Sequence, residues 1–393
     1  MSHAADSEEK KLSGLSKKYS KSFEFCKHNQ QNFTIENVNT LSNQKEKYIN
    51  DVILNKVSNA SSISYISDGK NDKYNDEVNK IIFDLNNRPE IKKELIHIKE
   101  YYSKGASSKC FICESKKFPE KQFILKSIEN KSNLMRCLNT ANFNNQIKNE
   151  FCIQKKCRSR YVTSVSGIFQ IEEKFLIFSE FEINGDLNNF KKNYLKMDKL
   201  SESMVIYFCG MILKGIEHLH KLKICHFDIK LENILINGFF NAKISDFSIS
   251  MDYSNFTEYK LNSSGTQHYI TPEQLENKKI KTTLMDRIDL WALGVVMYKL
   301  LYGNFPYCSK DKKLNNQQML QEINETKLEF EQETSEDLKT FIARLLEKDI
   351  EKRIDLIEAL NSPIMKTYDF LLEMKKGFSD FGKFIDVLKK ESF

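Results

Sequence analysis

The chain has 393 residues, 40% of them hydrophobic, which is enough for a sizeable core and for two compact units or one two-lobed domain with extensions. Its 60 basic and 54 acidic residues leave a net charge of +6, mixed in sign along the sequence, and this argues against a nucleic-acid-binding surface. Nine cysteines, an odd number, and no secretory leader pattern lead us to expect a reducing, intracellular and cytoplasmic setting, with the nucleus left open. The longest apolar run, Leu290 to Tyr298, is too short to span a bilayer, and Ser2 rules out an N-myristoyl anchor.

In chain order, residues 1–90 read as a polar extension rich in Ser, Asn, Lys and Glu, partly disordered. Val52-Ile53-Leu54 and Ile63 to Ile66 are short apolar runs that could pair with a strand. Residues 74–86 space like a short amphipathic helix, which Arg88-Pro89 ends. Ile96 to Ile128 reads as strand, turn, strand, turn, strand. Within it Cys110-x-x-Cys113 could be half of a zinc site, but no matching Cys or His pair follows at the spacing such sites need, so no metal is expected there. A polar insertion runs from Glu129 to about Asn145, and Asn149 to Ile153 opens a helix. Tyr161 to Phe169 and Phe175 to Phe178 make a strand pair. Val205, Ile206, Phe208, Ile212, Leu213, Ile216 and Leu219 give residues 201–221 a helical period, with Ser201 as N-cap. His218 and His220, near the end of that helix, are expected to be favourably placed basic groups rather than metal ligands. Residues 366–393 carry Phe370, Leu371, Met374, Phe378, Phe381, Phe384, Ile385 and Leu388 at helical spacing. They are expected to pack back on the domain, with partner binding as the alternative.

The most chemical stretch is His226-Phe227-Asp228-Ile229-Lys230-Leu231-Glu232-Asn233, between the 201–221 helix and the apolar run Ile234-Leu235-Ile236. A short loop there gathers an acid, a lysine and an amide. Asp228 can orient a hydroxyl and accept its proton, Lys230 can neutralise a phosphate, and Asn233 can hold a metal. The octapeptide resembles the catalytic loop of the eukaryotic protein kinases, H-R-D-L-K-P-E-N, in its Ser/Thr form. Phe227 stands in place of Arg and Leu231 in place of Pro. Six further stretches resemble the family's motifs in the family's order. Ser103 to Cys110 retains one glycine, Gly105, of the phosphate loop. Phe123-Ile124-Leu125-Lys126 is similar to V-A-I-K. Ser245-Asp246-Phe247-Ser248 is similar to D-F-G, with Ser248 for Gly. Gly265 to Glu273 is similar to G-T-x-x-Y-x-A-P-E. Asp289 to Gly294 is similar to D-x-W-x-x-G, and Lys348 to Arg353 to K-D-P-x-x-R.

The resemblance covers residues 95–365. It implies an α+β bilobal fold: an antiparallel sheet with one main helix in residues 91–182, which end in the hinge, and a mostly helical lobe in residues 183–365. It implies ATP- and Mg2+-dependent phosphorylation of Ser or Thr in protein substrates, with Asp228, Lys230 and Asn233 catalytic. Gly105, Cys110, Lys126, Glu150, Ser179, Glu180, Glu182 and Asp246 would then bind ATP, with Ser179 a small gatekeeper and the hinge backbone meeting adenine. Asn233 and Asp246 would hold metal, and Arg353 would pair with Glu273. Asp186, Glu232, Thr266 and Ile249 would meet the substrate. Asp186 and Glu232 favour a basic residue three before the acceptor, and the β-branched Ile249 favours Thr. Phe227 has no charge for a phosphate, so activity is expected without phosphorylation of the loop that precedes Thr266. The alternative is a pseudokinase, a nucleotide-binding or scaffold module, suggested by Ser103, Ser108, Phe227 and Ser248. Against it, every charged or metal-binding position is filled. A small-molecule kinase is disfavoured by Thr271-Pro272-Glu273.

Overall fold

The structure, a computed structural model, describes residues 64–65, 96–104, 108–115, 122–129, 140–171, 174–307 and 314–390. Gly105, Val52 to Leu54 and the expected helix at 74–86 lie outside the described residues.

The upper lobe is a six-stranded sheet in the order β1-β2-β3-β4-β6-β5. Its strands are β1 (Ser64–Tyr65), β2 (Ile96–Lys104), β3 (Ser108–Ser115), β4 (Gln122–Glu129), β5 (Val165–Ile171) and β6 (Lys174–Glu180). From β2 onward all pairings are antiparallel. β1 adds a parallel edge strand, Ser64 opposite His97 and Tyr65 opposite Ile98, so one of the two early apolar runs finds a partner. α1 (Thr140–Lys156) crosses the sheet. It begins well before the Asn149 start expected from the sequence, because its first turns are polar and give no apolar period to read. Ile147 joins Ile128, Phe175 and Ile177 in a buried cluster that fixes the helix to the sheet.

The lower lobe begins with α2 (Leu187–Asn189), which continues as a π-helical turn over Phe190–Leu195. α3 (Glu202–Lys221) starts where Ser201 accepts a hydrogen bond from the Met204 amide, as the sequence predicts. The chain then forms β7 (Ile224–Cys225), β8 (Ile234–Ile236), β9 (Ala242–Ile244), β10 (Met251–Asp252) and β11 (Glu258–Lys260). α4 (Pro272–Leu275), β12 (Lys279–Lys281) and α5 (Asp286–Tyr302) follow. α5 is apolar nearly all round, which suits only the middle of a core, and Leu290, Leu293, Val295 and Val296 are completely buried there. α6 (Asn316–Glu325), α7 (Glu336–Leu345) and α8 (Leu356–Leu360) surround it. α9 (Pro363–Lys376) and α10 (Phe381–Lys390) lie against α3. Tyr368 of α9 fits against Gly210 so closely that a β-carbon there would come within 2.3 Å of its ring. Tyr368, Leu371, Phe384 and Leu388 are fully buried in the same core as α3. No helix among the described residues is long and apolar enough to cross a membrane.

Candidate active site

The catalytic-loop candidates hang from one buried carboxylate. Asp289, at the start of α5, accepts the amide protons of His226 (2.9 Å) and Phe227 (3.0 Å). His220 of α3 lies 2.8 Å from the same carboxylate and 3.1 Å from the Tyr253 hydroxyl. Burial works against ionisation of Asp289, but the hydrogen bond and charge of His220 and the neighbouring His226 hold its pKa below the ordinary value. His220, Cys225 and Asp289 are close enough together to suggest a metal site. Asp289 already spends its oxygens on the loop backbone, so we read the cluster as an anchor. Asp289 heads a stretch that the sequence singles out, whereas the histidine six residues before the loop carries no such signal.

That anchoring holds Phe227 at a φ of +65°, a conformation costly for a bulky residue, and so aims Asp228 into the cleft. Around Asp228 the polar groups converge. Lys230 Nζ donates to Asp228 Oδ2 at 2.5 Å and to Thr266 Oγ1 at 2.7 Å. Thr266 donates from its hydroxyl (2.7 Å) and its amide (3.1 Å) to Asp228 Oδ1. Asn233 Nδ2 donates to the Asp228 carbonyl and to Oδ2, both at 2.9 Å. The acid, the lysine and the threonine expected near the substrate therefore form one hydrogen-bonded unit, although Thr266 is far from Asp228 in sequence.

A second unit forms between the lobes. Lys126 Nζ of β4 lies 2.8 Å from Glu150 of α1 and 3.3 Å from Asp246. Burial works against the charged ammonium, but the carboxylates of Asp246 and Glu150 overcome it and raise its pKa. Burial likewise opposes the Asp246 carboxylate, and Lys126 reverses this and keeps it ionised. Asp246 sits at a φ of +62° and its side chain is 39% exposed. Cys110 of β3 lies opposite Lys126 in the ladder, on the roof of the same cleft. His226 Nε2 donates to the Ser245 carbonyl (3.1 Å) and the ring meets Phe247 edge-on, which ties the 246–248 stretch to the loop 226–233.

Ser179, half-buried near the end of β6, lies opposite Ile124 and Val165. The side chains of Glu180 and Glu182 turn to Lys243 of β9, at 2.6 and 2.9 Å, so only their backbone is placed for a ligand. Lys243 is buried, yet Glu182 and Glu180 raise its pKa. Sequence reasoning missed this clamp, because a lysine within a short strand looks like a solvated residue. Asp186 caps α2 by accepting from the Asn189 amide at 2.9 Å, and Glu232 accepts from Asn188 at 3.2 Å. Ile249 is half-buried, and its Cδ1 lies 3.9 Å from the position a β-carbon on Gly265 would take.

Beneath the site Arg353 makes two hydrogen bonds to Glu273, at 2.7 and 3.0 Å, with both side chains sealed from water. The guanidinium also lies 4.8 Å from the ring centroid of Trp291. The pairing expected from the sequence is present as a full bidentate bridge.

Residues 96–365 match the protein kinase domain. The chain is 29% identical over 254 residues to an Aurora kinase of Eremothecium gossypii, across 64% of this chain and 62% of that protein. It is 29% identical over 232 residues to human Death-associated protein kinase 2, across 57% and 60%. It is also 24% identical over 316 residues to the serine/threonine-protein kinase pakB of Dictyostelium discoideum, across 79% and 35%. The chain thus spans between about a third and three-fifths of the length of these curated relatives. The family match covers well over half of the chain and carries both lobes and the cleft between them, and the chain belongs to the protein kinase family.

Proposed function

We propose that the chain transfers the γ-phosphoryl group of ATP to Ser or Thr hydroxyls of protein substrates. The observation that carries this reading is the unit of Asp228, Lys230, Asn233 and Thr266, set across the cleft from Lys126, Glu150 and Asp246. Asp228 orients the acceptor hydroxyl and takes its proton. Lys230 stabilises charge on the transferring group, and Lys126, set by Glu150, grips the other phosphates. Cys110 on the roof, Gly105, Ser179 and the backbone at Glu180 and Glu182 complete the nucleotide site. The oxygen donors of Asp246 and Asn233 suit magnesium: the Asn233 amide nitrogen is spent on Asp228, which leaves its oxygen as an acceptor. The ion supplies charge neutralisation at the phosphates when bound. The protein's share of catalysis is positioning and electrostatic stabilisation.

We further propose that acceptors are preferably Thr, from Ile249 beside Gly265 and Thr266, and that a basic residue three before the acceptor is favoured by Asp186 and Glu232. A radiolabelled ATP assay on a degenerate peptide array, wild type beside Asp228→Asn, tests the reading. Labelling by wild type and none by Asp228→Asn is expected; no labelling by a folded, ATP-binding wild type would favour the pseudokinase reading. Preference for Ser over Thr would refute the role of Ile249, and indifference to Arg at minus three would refute that of the carboxylates.

A further inference from the structure

The segment from Asp246 to Glu273 must be seated for Thr266 to reach Asp228. The structure shows what seats it. Leu261 is buried and Tyr259 half-buried in an apolar cluster with Cys225, Tyr253, Ile280, Met285 and Ile288. Tyr259 faces that cluster because β11 pairs with β12, Tyr259 opposite Ile280, while Glu258 and Lys260 point to water. The Phe227 ring packs against Tyr259, with centroids 6.3 Å apart and planes at 44°. The same residue meets the segment again six positions later. Gly265 has a φ of +122°, and a β-carbon on it would stand 3.0 Å from the Phe227 carbonyl oxygen. Phe227 therefore touches both ends of the 259–265 stretch, with its ring at one end and its backbone at the other. Thr266, the next residue, makes both bonds to Asp228.

Phe227 is itself held by Asp289. The pocket beside the latch, between α1 and the segment, is lined in part by Phe227, Met251, Tyr259, Ser264 and Glu150. Among the described residues no lysine, arginine or histidine lines it, and its only charged side chain is the carboxylate of Glu150. An anion on the segment would find no basic receptor among these described lining residues, whereas aromatic rings find a partner.

We propose that Phe227 and Tyr259 form an apolar latch that seats Gly265 and Thr266 on Asp228, and that they are positioning residues for phosphoryl transfer. This rests on the kinase reading above. An apolar contact is not weakened by ionic screening and needs no phosphate to form, so the segment is seated as soon as the lobe folds.

The test compares Phe227→Ala with Phe227→Leu, and Tyr259→Ala with Tyr259→Phe, in the full chain after phosphatase treatment. The alanine variants lose about tenfold in kcat for peptide phosphorylation, the scale of one lost aromatic contact. Their KM for ATP stays at the wild-type value, the leucine and phenylalanine variants retain turnover, and the double alanine variant is no worse than the poorer single one. Wild-type turnover in both alanine variants, or loss of wild-type turnover on phosphatase treatment alone, overturns the latch. Hydrogen exchange separates this from failure of the kinase reading. If the wild type transfers no phosphate to any peptide, the kinase reading fails. The latch still requires faster exchange over residues 253–266 in the alanine variants with exchange in α5 unchanged, and unchanged exchange over 253–266 overturns it.

Discussion

Two ion pairs in this chain use the same charges in opposite settings. Arg353 and Glu273 are sealed, with 0% and 2% of their side chains exposed, and every contact is fixed. Lys126 and Glu150 meet at a similar distance, but Lys126 is 21% exposed and shares itself with Asp246, which is 39% exposed. The sealed pair has all its partners within the fold, so removing one leaves an uncompensated buried charge. The open cluster has surplus charge facing the cleft, where phosphates would complete it. On the proposed function, structure depends on the first pair and chemistry on the second, and the two should fail differently.

The largest effect on turnover is expected at the open pair. Lys126→Met should lower turnover by a factor on the order of 10²–10³, as when one preorganised donor to a transition-state charge is lost. Its Tm should fall less than that of a variant of the sealed pair, because Asp246 is 39% exposed and can be solvated, although the buried Glu150 loses its partner. Steady-state kinetics with a thermal melt decides, and near-normal turnover in a folded variant would sink the assignment.

The sealed pair should show the reverse. Arg353→Leu should cost about 3–5 kcal/mol of stability, because Glu273 is left charged and dry. Arg353→Leu combined with Glu273→Met should recover a large part of that loss. Urea unfolding of the single and double variants checks this. A single variant as stable as wild type would mean that Glu273 finds another partner.

The contrast also explains how much could be read from the sequence. The catalytic loop, Lys126, Asp246, Glu273 and Arg353 sit in short motifs whose order is informative, and the α3 period and its Ser201 cap were plain. The start of α1 was not, since its early turns carry no apolar stripe. The Lys243 clamp and the His220 bond to Asp289 join residues 63 and 69 positions apart, and nothing local marks them. The role of Phe227 was half legible: the missing charge could be seen, but the ring contact with Tyr259 needed the fold.

Between these extremes lies the packing of the C-terminal helices. Gly210→Ala would push a β-carbon into the Tyr368 ring, and overpacking of this kind costs about 1–3 kcal/mol. The loss should appear as faster hydrogen exchange in α9 and α10, with the catalytic loop unaffected. Equal exchange in the variant and wild type would show that α9 shifts freely.

The smallest effect should come from a charge that is sealed but has no opposite partner among its close contacts. Lys375 of α9 is buried. It donates to the Tyr207 hydroxyl (2.5 Å), the Phe239 carbonyl (2.6 Å) and Asn241 Oδ1 (2.6 Å), and its ammonium lies 5.2 and 5.1 Å from the Tyr207 and Phe381 ring centroids. Burial, helped by the charge of Arg160, lowers its pKa to about 7. The unfolded lysine keeps its proton up to about pH 10.4, so between these values the unfolded chain binds more protons than the folded one. Stability from this site is therefore greatest above the unfolded pKa and is lost as pH falls toward 7. The site is one lysine in a chain of this size, so the change should be modest, about 5 °C or less in Tm between pH 9 and pH 7. Lys375→Met should be less stable throughout, since it leaves those acceptors without a donor, and should remove this part of the pH dependence. Parallel melts of wild type and Lys375→Met across that range give the answer. Identical slopes would show that the acceptors hold the lysine fully protonated in the folded chain, and that burial without a counter-charge does not govern this site.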